Sequence, residues 1–284
     1  MVLTIRSPTA AFLSIEAPVY PVLIGVGAII GCGIALSLAP STDRVVALAC
    51  LTSAGFGTLA VALARLRYRP NAGLVSYHYA ASAICLLALA CAVLGAPLSE
   101  MLDLAAIVLS SVQTLGRVGC LFAGCCYGRP CRWGVRYPAS HSGACLMPNV
   151  TLCPVQCIEG LWNVTTLLAE VVMIRTVHDN GAIFVWWSAA YFAGRFLAEF
   201  LRGDIGRRRV HAFSETQVAA QVISGALLGA GTLGVIPLSP ASATLAVTVV
   251  SLALLTIVLG QRNVDGLAGL RHMHEIASIV WSMP

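Results

Sequence analysis

The sequence predicts an all-α polytopic membrane protein, and three observations carry that expectation. Hydrophobic residues make up 58% of the 284 residues, charged residues only 10%, and the mean hydropathy is +0.86. Soluble domains of this size do not reach such values. The apolar residues also form continuous runs of about 20, enough for a helix to cross a hydrocarbon core of roughly 30 Å, rather than the alternation of a barrel strand. Gly, Ala, Ser and Thr are scattered along these runs, as in helices that pack closely in lipid.

Taken in order, residues 1–19 carry Arg6 and Glu16 and lack a continuous apolar core, so no cleavable signal peptide is expected and the first span serves as targeting signal. Apolar runs follow at about 20–39, 45–65, 77–95, 103–123, 155–176, 182–201, 214–236 and 241–260, giving a bundle of 7–8 transmembrane helices. One longer polar loop, about 124–154, contains Trp133, Gly134, Pro138, Ser140, Gly143 and Pro148, residues suited to turns and strands. In 261–284, Leu267, Leu270, Ile276, Ile279, Val280 and Trp281 recur at helical spacing among Arg262, Arg271, His272 and His274. That pattern suits an interfacial amphipathic helix or an unstructured tail. The expected organisation is an N-terminal segment 1–19, one transmembrane domain 20–260 and a C-terminal tail 261–284.

The chain has seventeen basic residues, all arginine, and a net charge of +5. Loops near 66–76, 124–154 and 202–213, with both termini, hold nearly all of them. The alternate loops hold only Arg44, with Arg175 close by. The positive-inside rule puts the arginine-rich set and both termini in the cytoplasm.

Four segments carry candidate chemistry. The first, LGRVGCLFAGCCYGRPCRWGVRYP at 115–138, starts inside an apolar run, where an arginine persists only if a counter-ion, carbonyl cluster or anionic ligand meets it. It holds Cys120, Cys125, Cys126 and Cys131, and Cys145, Cys153 and Cys157 follow. The second, YFAGRFLAEFLRGD at 191–204, sets Tyr191, Arg195, Glu199 and Arg202 at i, i+4, i+8 and i+11, on one helix face. Arg195 and Glu199 can pair directly, and two arginines against one carboxylate leave positive charge over. The third, GLVSYHYA at 73–80, places His78 at the start of an apolar run, where it can cap a helix, sit at the interface or act as a base. The fourth, CPVQCIEG at 153–160, puts Gln156 and Glu159 at the start of the next span, where a carboxylate caps the positive helix end or binds a ligand.

In this order, the segments resemble the prolipoprotein diacylglyceryl transferase family over about 73–235. GRVGCLFAGCCYGR is similar to the family pattern G-R-x-G-N-F-x-N-G-E-x-x-G-R, with Arg117, Gly119, Gly124, Gly128 and Arg129 at matching positions. CPVQCIE resembles H-P-x-Q-x-Y-E through Pro154, Gln156 and Glu159, and Tyr191, Arg195, Glu199 and Arg202 match a Y-x-x-x-R-x-x-x-E-x-x-R helix. Tyr77 and His78 resemble an aromatic-histidine motif, and Ser214 and Gln217 the start of the last family helix. Cys120, Ala123 and Cys125 replace two asparagines and a glutamate, Cys153 a histidine, Ile158 a tyrosine, and Tyr79 and Ala80 two glycines. An eighth span is additional.

The resemblance implies transfer of a diacylglyceryl group from an anionic phospholipid, phosphatidylglycerol or similar, to an acceptor thiol in a protein or small molecule, with release of glycerol phosphate. His78, Arg117, Arg195 and Glu199 take the catalytic roles on this reading. Gly119, Cys120, Gly128, Arg129, Gln156, Glu159, Tyr191 and Arg202 take substrate binding. The membrane is the setting, the bacterial cytoplasmic membrane by the resemblance, and neither nucleic acid nor cofactor is expected. The resemblance also implies motif-bearing ends that face the periplasm, the reverse of the positive-inside count. C-x4-C-C-x4-C is not a standard zinc spacing, so the cysteines are expected to pack in the helices rather than hold metal. A metal or redox site on the same scaffold, disulfides, or a non-catalytic lipid-binding protein are the alternatives.

Overall fold

The computed structural model of the chain describes residues 2–12, 15–39, 44–68, 76–203, 209–210 and 213–267. Three short strands, β1 (Val2–Thr4), β2 (Thr9–Phe12) and β3 (Ile15–Pro18), precede α1 (Val19–Leu38). There follow α2 (Arg44–Tyr68), α3 (Ser76–Leu94), α4 (Leu98–Ala123), β4 (Pro130–Arg136), β5 (Thr151–Leu152), α5 (Val155–Thr176) and α6 (Ala182–Ala198). A two-residue hairpin, β6 (Arg209–Val210) and β7 (Phe213–Ser214), leads into α7 (Glu215–Thr232) and α8 (Pro240–Leu267).

Each expected apolar run is thus the body of one of eight helices among the described residues, and the protein is an all-α polytopic membrane protein. Five stretches, Val19–Leu38, Arg44–Ala64, Leu98–Ala123, Val155–Thr176 and Pro240–Ile257, are long and apolar enough to cross a membrane by length and composition, and Tyr79–Leu94 and Ala182–Ala198 are shorter apolar helices. The last helix runs unbroken to Leu267, past the expected boundary at 260, and 268–284 lie outside the described residues.

The bundle is arranged around α4. Half of its span, 50%, is buried in the protein, against 17% to 22% of the other four long spans, so α4 is ringed by helices while its neighbours face lipid. α1 lies antiparallel on it at backbone contact. A Cβ on Gly27 would stand 2.9 Å from the Val112 Cα, and one on Gly31 2.8 Å from the Val108 Cα. Small residues at four-residue spacing permit this approach, and close packing is what holds helices together where lipid is as apolar as leucine. One apolar core joins Ala35, Ala47, Leu51, Leu87, Met101 and Ile107 of α1 to α4; a second joins Phe196, Phe213, Ala220 and Val249 around α6, α7 and α8.

Polar groups fix the helix ends. Asp103 of α4 is buried and accepts from the Gly181 N–H (2.7 Å) and the Phe184 N–H (2.9 Å), so a neighbouring helix caps the start of α6. Ser214 and Gln217 form a capping box on α7: the Gln217 N–H donates to Ser214 Oγ (3.2 Å) and the Ser214 N–H to Gln217 Oε1 (3.1 Å).

The long loop folds into a small cap, where its turn and strand formers sit. β4 pairs in parallel with β1 and antiparallel with β5. Beneath it Ile5, Tyr127, Val135, Tyr137 and Leu152 form a separate apolar cluster, and Tyr137 Oη donates to the Leu121 carbonyl at 2.7 Å. The cap therefore sits on the C-terminal end of α4, beside the N-terminal end of α5 and the C-terminal end of α6.

Candidate functional site

Three helix ends meet under that cap, and each brings charge. Arg117 comes from the last turns of α4, Glu159 from the second turn of α5, and Arg195 and Glu199 from the end of α6, with Arg202 just beyond. Glu159 is the hub. Its Oε2 pairs with Arg117 Nη1 at 2.8 Å, and its Oε1 takes both Arg195 Nη1 and, at 3.8 Å, Arg202 Nη1. Arg195 Nη2 also pairs with Glu199 Oε1 at 3.3 Å, the i to i+4 contact expected along α6. All five side chains are nearly or fully buried, Arg117 being the most exposed at 11%.

Glu159, expected either to cap α5 or to bind a ligand, does not cap it. The first turn of α5 carries no acidic residue; Glu159 lies one turn deeper and is the shared counter-ion of three arginines. Among the described residues three guanidinium groups gather around two carboxylates. Removing such ions from water costs several kcal/mol each, so this cluster of permanently charged groups is a place where an anion would be stabilised. Arg195 adds a directed donor, because its Nε–H is buried and has no hydrogen-bond partner among the described residues.

A cavity of about 420 Å³ opens beside this cluster. Arg117, Glu159, Tyr191 and Arg195 line its floor with Trp162 and Asn163, while Ile158, Leu161, Leu197 and Leu201 form an apolar rim. All four rim side chains are exposed on the outer face of the bundle, Leu161 at 66%, so the mouth is turned to lipid. The polar floor is held rigidly. Trp162 Nε1 donates to the Ala190 carbonyl at 2.8 Å, and the Tyr191 ring stacks on Trp187 with centroids 5.4 Å apart and planes 8° apart.

Of the remaining expected site residues, those with described side chains do not line the cavity. Gly119 lets α1 pass, since a Cβ there would meet Tyr20 at 2.9 Å. Gly128 is where the cap joins the bundle: its N–H donates to the Cys153 carbonyl (2.9 Å), it bridges to Arg202, and a Cβ would stand 2.6 Å from both the Cys153 oxygen and the Val155 side chain. The Arg129 N–H donates to the Leu201 carbonyl at 3.1 Å, tying the loop to the end of α6; its side chain is half-buried. Gln156 Nε2 donates to the Cys125 carbonyl at 2.8 Å, and its buried Oε1 has no hydrogen-bond partner among the described residues. His78 is in the first turn of α3, and its side chain, with that of Tyr77, lies outside the described residues.

Cys120 is buried, and the fold brings two further cysteines to it. The α4 helix ends at Gly124, whose left-handed φ of 69° reverses the chain, and Cys126 is itself left-handed at φ 59°. The reversal returns Cys125 and Cys126 to Cys120, so that the three Sγ atoms lie within 4.8 Å of one another. All eleven cysteines are free thiols. In the cap, burial pushes the Cys145 and Cys153 thiols up, with neighbouring Cys131 adding to the effect at Cys153, so neither is a ready thiolate.

Buried groups the motifs did not single out include Glu170 and Asn163. Glu170 accepts from Ser110 Oγ at 2.7 Å between α5 and α4; a carboxylate inside an apolar run was the signal for it.

Comparison with known proteins agrees with this geometry. Over 107 residues, 37% of this chain, the sequence is 33% identical to phosphatidylglycerol--prolipoprotein diacylglyceryl transferase of Clostridium tetani, and this stretch covers 42% of that protein. The protein of the same name from Mycobacteroides abscessus is 30% identical over 159 residues, 49% of this chain and 46% of that one. A second such transferase of Streptomyces coelicolor is 33% identical over 111 residues, 38% and 35% of the two chains. The chain thus spans less than half the length of the curated relatives it matches. The family match is broader, covering residues 8–237 and so every helix that contributes to the cavity and its surroundings from α1 to α7. With the guanidinium cluster, the capped helix ends and most of the chain inside that match, this chain belongs to the prolipoprotein diacylglyceryl transferase family.

Proposed function

We propose that the protein is a phospholipid-dependent diacylglyceryl transferase of the bacterial cytoplasmic membrane, taking an anionic phosphatidylglycerol-like donor and delivering its diacylglyceryl group to the thiol of a prolipoprotein cysteine. One observation supports this reading above the others: a lipid-facing cavity with an apolar rim and a floor that carries the guanidinium groups of Arg117 and Arg195. Such a cavity matches an amphiphile whose acyl chains stay in the bilayer while a phosphate enters the protein. Planar guanidinium groups bind phosphate oxygens bidentately and keep their charge at any physiological pH.

In the proposed reaction the acceptor thiolate attacks the glyceryl carbon that carries the phosphate ester. An S–C bond forms as the C–O bond breaks, and the electron pair leaves on the phosphate oxygen as glycerol phosphate. Arg117 and Arg195 meet that developing charge, Glu159 and Glu199 hold the two guanidinium planes in place, and Tyr191 and Gln156 position the headgroup. Gly128, Arg129 and Arg202 brace the loop that closes the site. The thiol proton passes to a base, the role proposed for His78. Stabilising a leaving phosphate with preorganised donors in a site shielded from water is the largest effect available to this chain.

The test is purified protein with phosphatidylglycerol and a lipobox peptide, read as released glycerol phosphate and thioether-linked peptide. Activity is expected, with Arg117→Ala slower by about 10²–10³-fold. No release, or wild-type release from Arg117→Ala, overturns the reading. Complementation of a strain lacking the transferase then separates a prolipoprotein acceptor from a small thiol.

A further inference from the structure

We propose that Cys120, Cys125 and Cys126 form a three-sulfur site for a soft, thiophilic cation of the Cu(I) class. Their Sγ atoms lie within 4.8 Å of one another, the only group of three candidate metal-ligating side chains this close among the described residues. A cation bound at about 2.3 Å from each of three sulfurs in a plane requires sulfur separations of about 4 Å. The thiols therefore need to close by less than about 1 Å, within the reach of side-chain rotation.

The backbone holds the three residues ready. The Gly124 and Cys125 N–H groups both donate to the Cys120 carbonyl, Cys125 at 3.2 Å, which closes the last turn of α4. Cys126 then occupies the left-handed region, unusual for a residue with a side chain, and this conformation turns the chain back toward Cys120. Gln156 fixes the Cys125 carbonyl from α5 at 2.8 Å, and Gly128 fixes the following residues through Cys153 at 2.9 Å. The site is thus a rigid corner rather than three thiols on a loose loop.

Ligand number and type select the cation. Structural zinc takes four ligands, and no fourth His, Cys, Asp or Glu joins the three sulfurs among the described residues. His141, the nearest imidazole in the cap by sequence, has both ring nitrogens engaged, Nε2 with the Phe122 carbonyl at 3.0 Å and Nδ1 with the Gly143 N–H at 3.1 Å. Three soft sulfurs without a hard donor suit Cu(I). Charge agrees: a cation on three thiolates stays anionic, and Arg117, one turn before Cys120, is a permanently charged guanidinium of the arginine cluster. This inference is independent of the proposed transfer reaction, and its test measures metal and thiols, not activity.

Reduced, full-length protein in detergent under argon is mixed with Cu(I) held by a chromogenic chelator, bathocuproine disulfonate. The protein is expected to withdraw one Cu(I), bleaching the chelator complex. Alkylation with iodoacetamide, mapped by mass spectrometry with and without Cu(I), is expected to show copper-dependent protection at Cys120, Cys125 and Cys126. The double variant Cys125→Ser/Cys126→Ser should leave the copper on the chelator, while Cys131→Ser/Cys153→Ser should bind as wild type does. Unaltered chelator absorbance with wild-type protein, or protection confined to other cysteines such as Cys50 and Cys91, overturns the proposal. The protection map on the wild-type chain decides even where the double variant fails to fold.

Discussion

Glu159 joins three arginines from two other chain segments, and its removal is where the site is most fragile. Glu159→Gln removes the carboxylate that Arg117, Arg195 and Arg202 share in a buried setting, the situation in which breaking an ion pair costs about 3–5 kcal/mol. The expected result is a clear fall in the unfolding temperature in detergent, with loss of transferase activity; an unchanged temperature would show that the arginines do not depend on this carboxylate. Arg195→Lys keeps the charge but removes the planar fork that reaches Glu159 and Glu199 together. It should fold and yet lose most of the glycerol phosphate release, a difference read by comparing its unfolding temperature with its rate.

Elements are fixed here by groups on their neighbours as much as by their own residues. The start of α6 has no side-chain cap of its own, and Asp103 of α4 accepts from its first free N–H groups. Asp103→Ala should cost about 1–2 kcal/mol, and hydrogen exchange should show the amides of Gly181 and Phe184 opening faster while α1 is unaffected. At the other end of α6, Gly128 permits the cap to seat. Gly128→Ala drives a Cβ into the Cys153 carbonyl and the Val155 side chain, an overpacking that costs about 1–3 kcal/mol. The expected outcome is a lower unfolding temperature and faster proteolysis within 124–154, measured on purified protein.

At the scale of the whole molecule, alternation of the helices puts the cap, the arginine cluster and the turn into α7 at one side of the bundle. That side also carries most of the arginines, so charge counting and family resemblance place it on opposite faces of the membrane. We propose the orientation of the family, because basic residues around an anionic-lipid site answer to the headgroup as well as to insertion. Ser140 is exposed in the cap, and Ser140→Cys in a Cys131→Ser background should therefore react with an impermeant maleimide in intact spheroplasts; labelling only after lysis would give the inverted orientation. A bundle of 7–8 helices, the position of the cap and the candidate arginines were legible in the sequence, because helix length, apolar continuity and intramembrane charge are local properties that lipid enforces residue by residue. The sequence did not determine which carboxylate served which arginine: Glu159 stood between helix cap and ligand contact until α4 and α6 were brought against it. Nor did it determine that Cys120, Cys125 and Cys126 meet, since a continued helix would turn them to different faces and it is the left-handed Gly124 and Cys126 that end α4 there and bring the three together. Contacts between segments far apart in the chain, and reversals within a few residues, are decided by packing, and only the tertiary structure holds them.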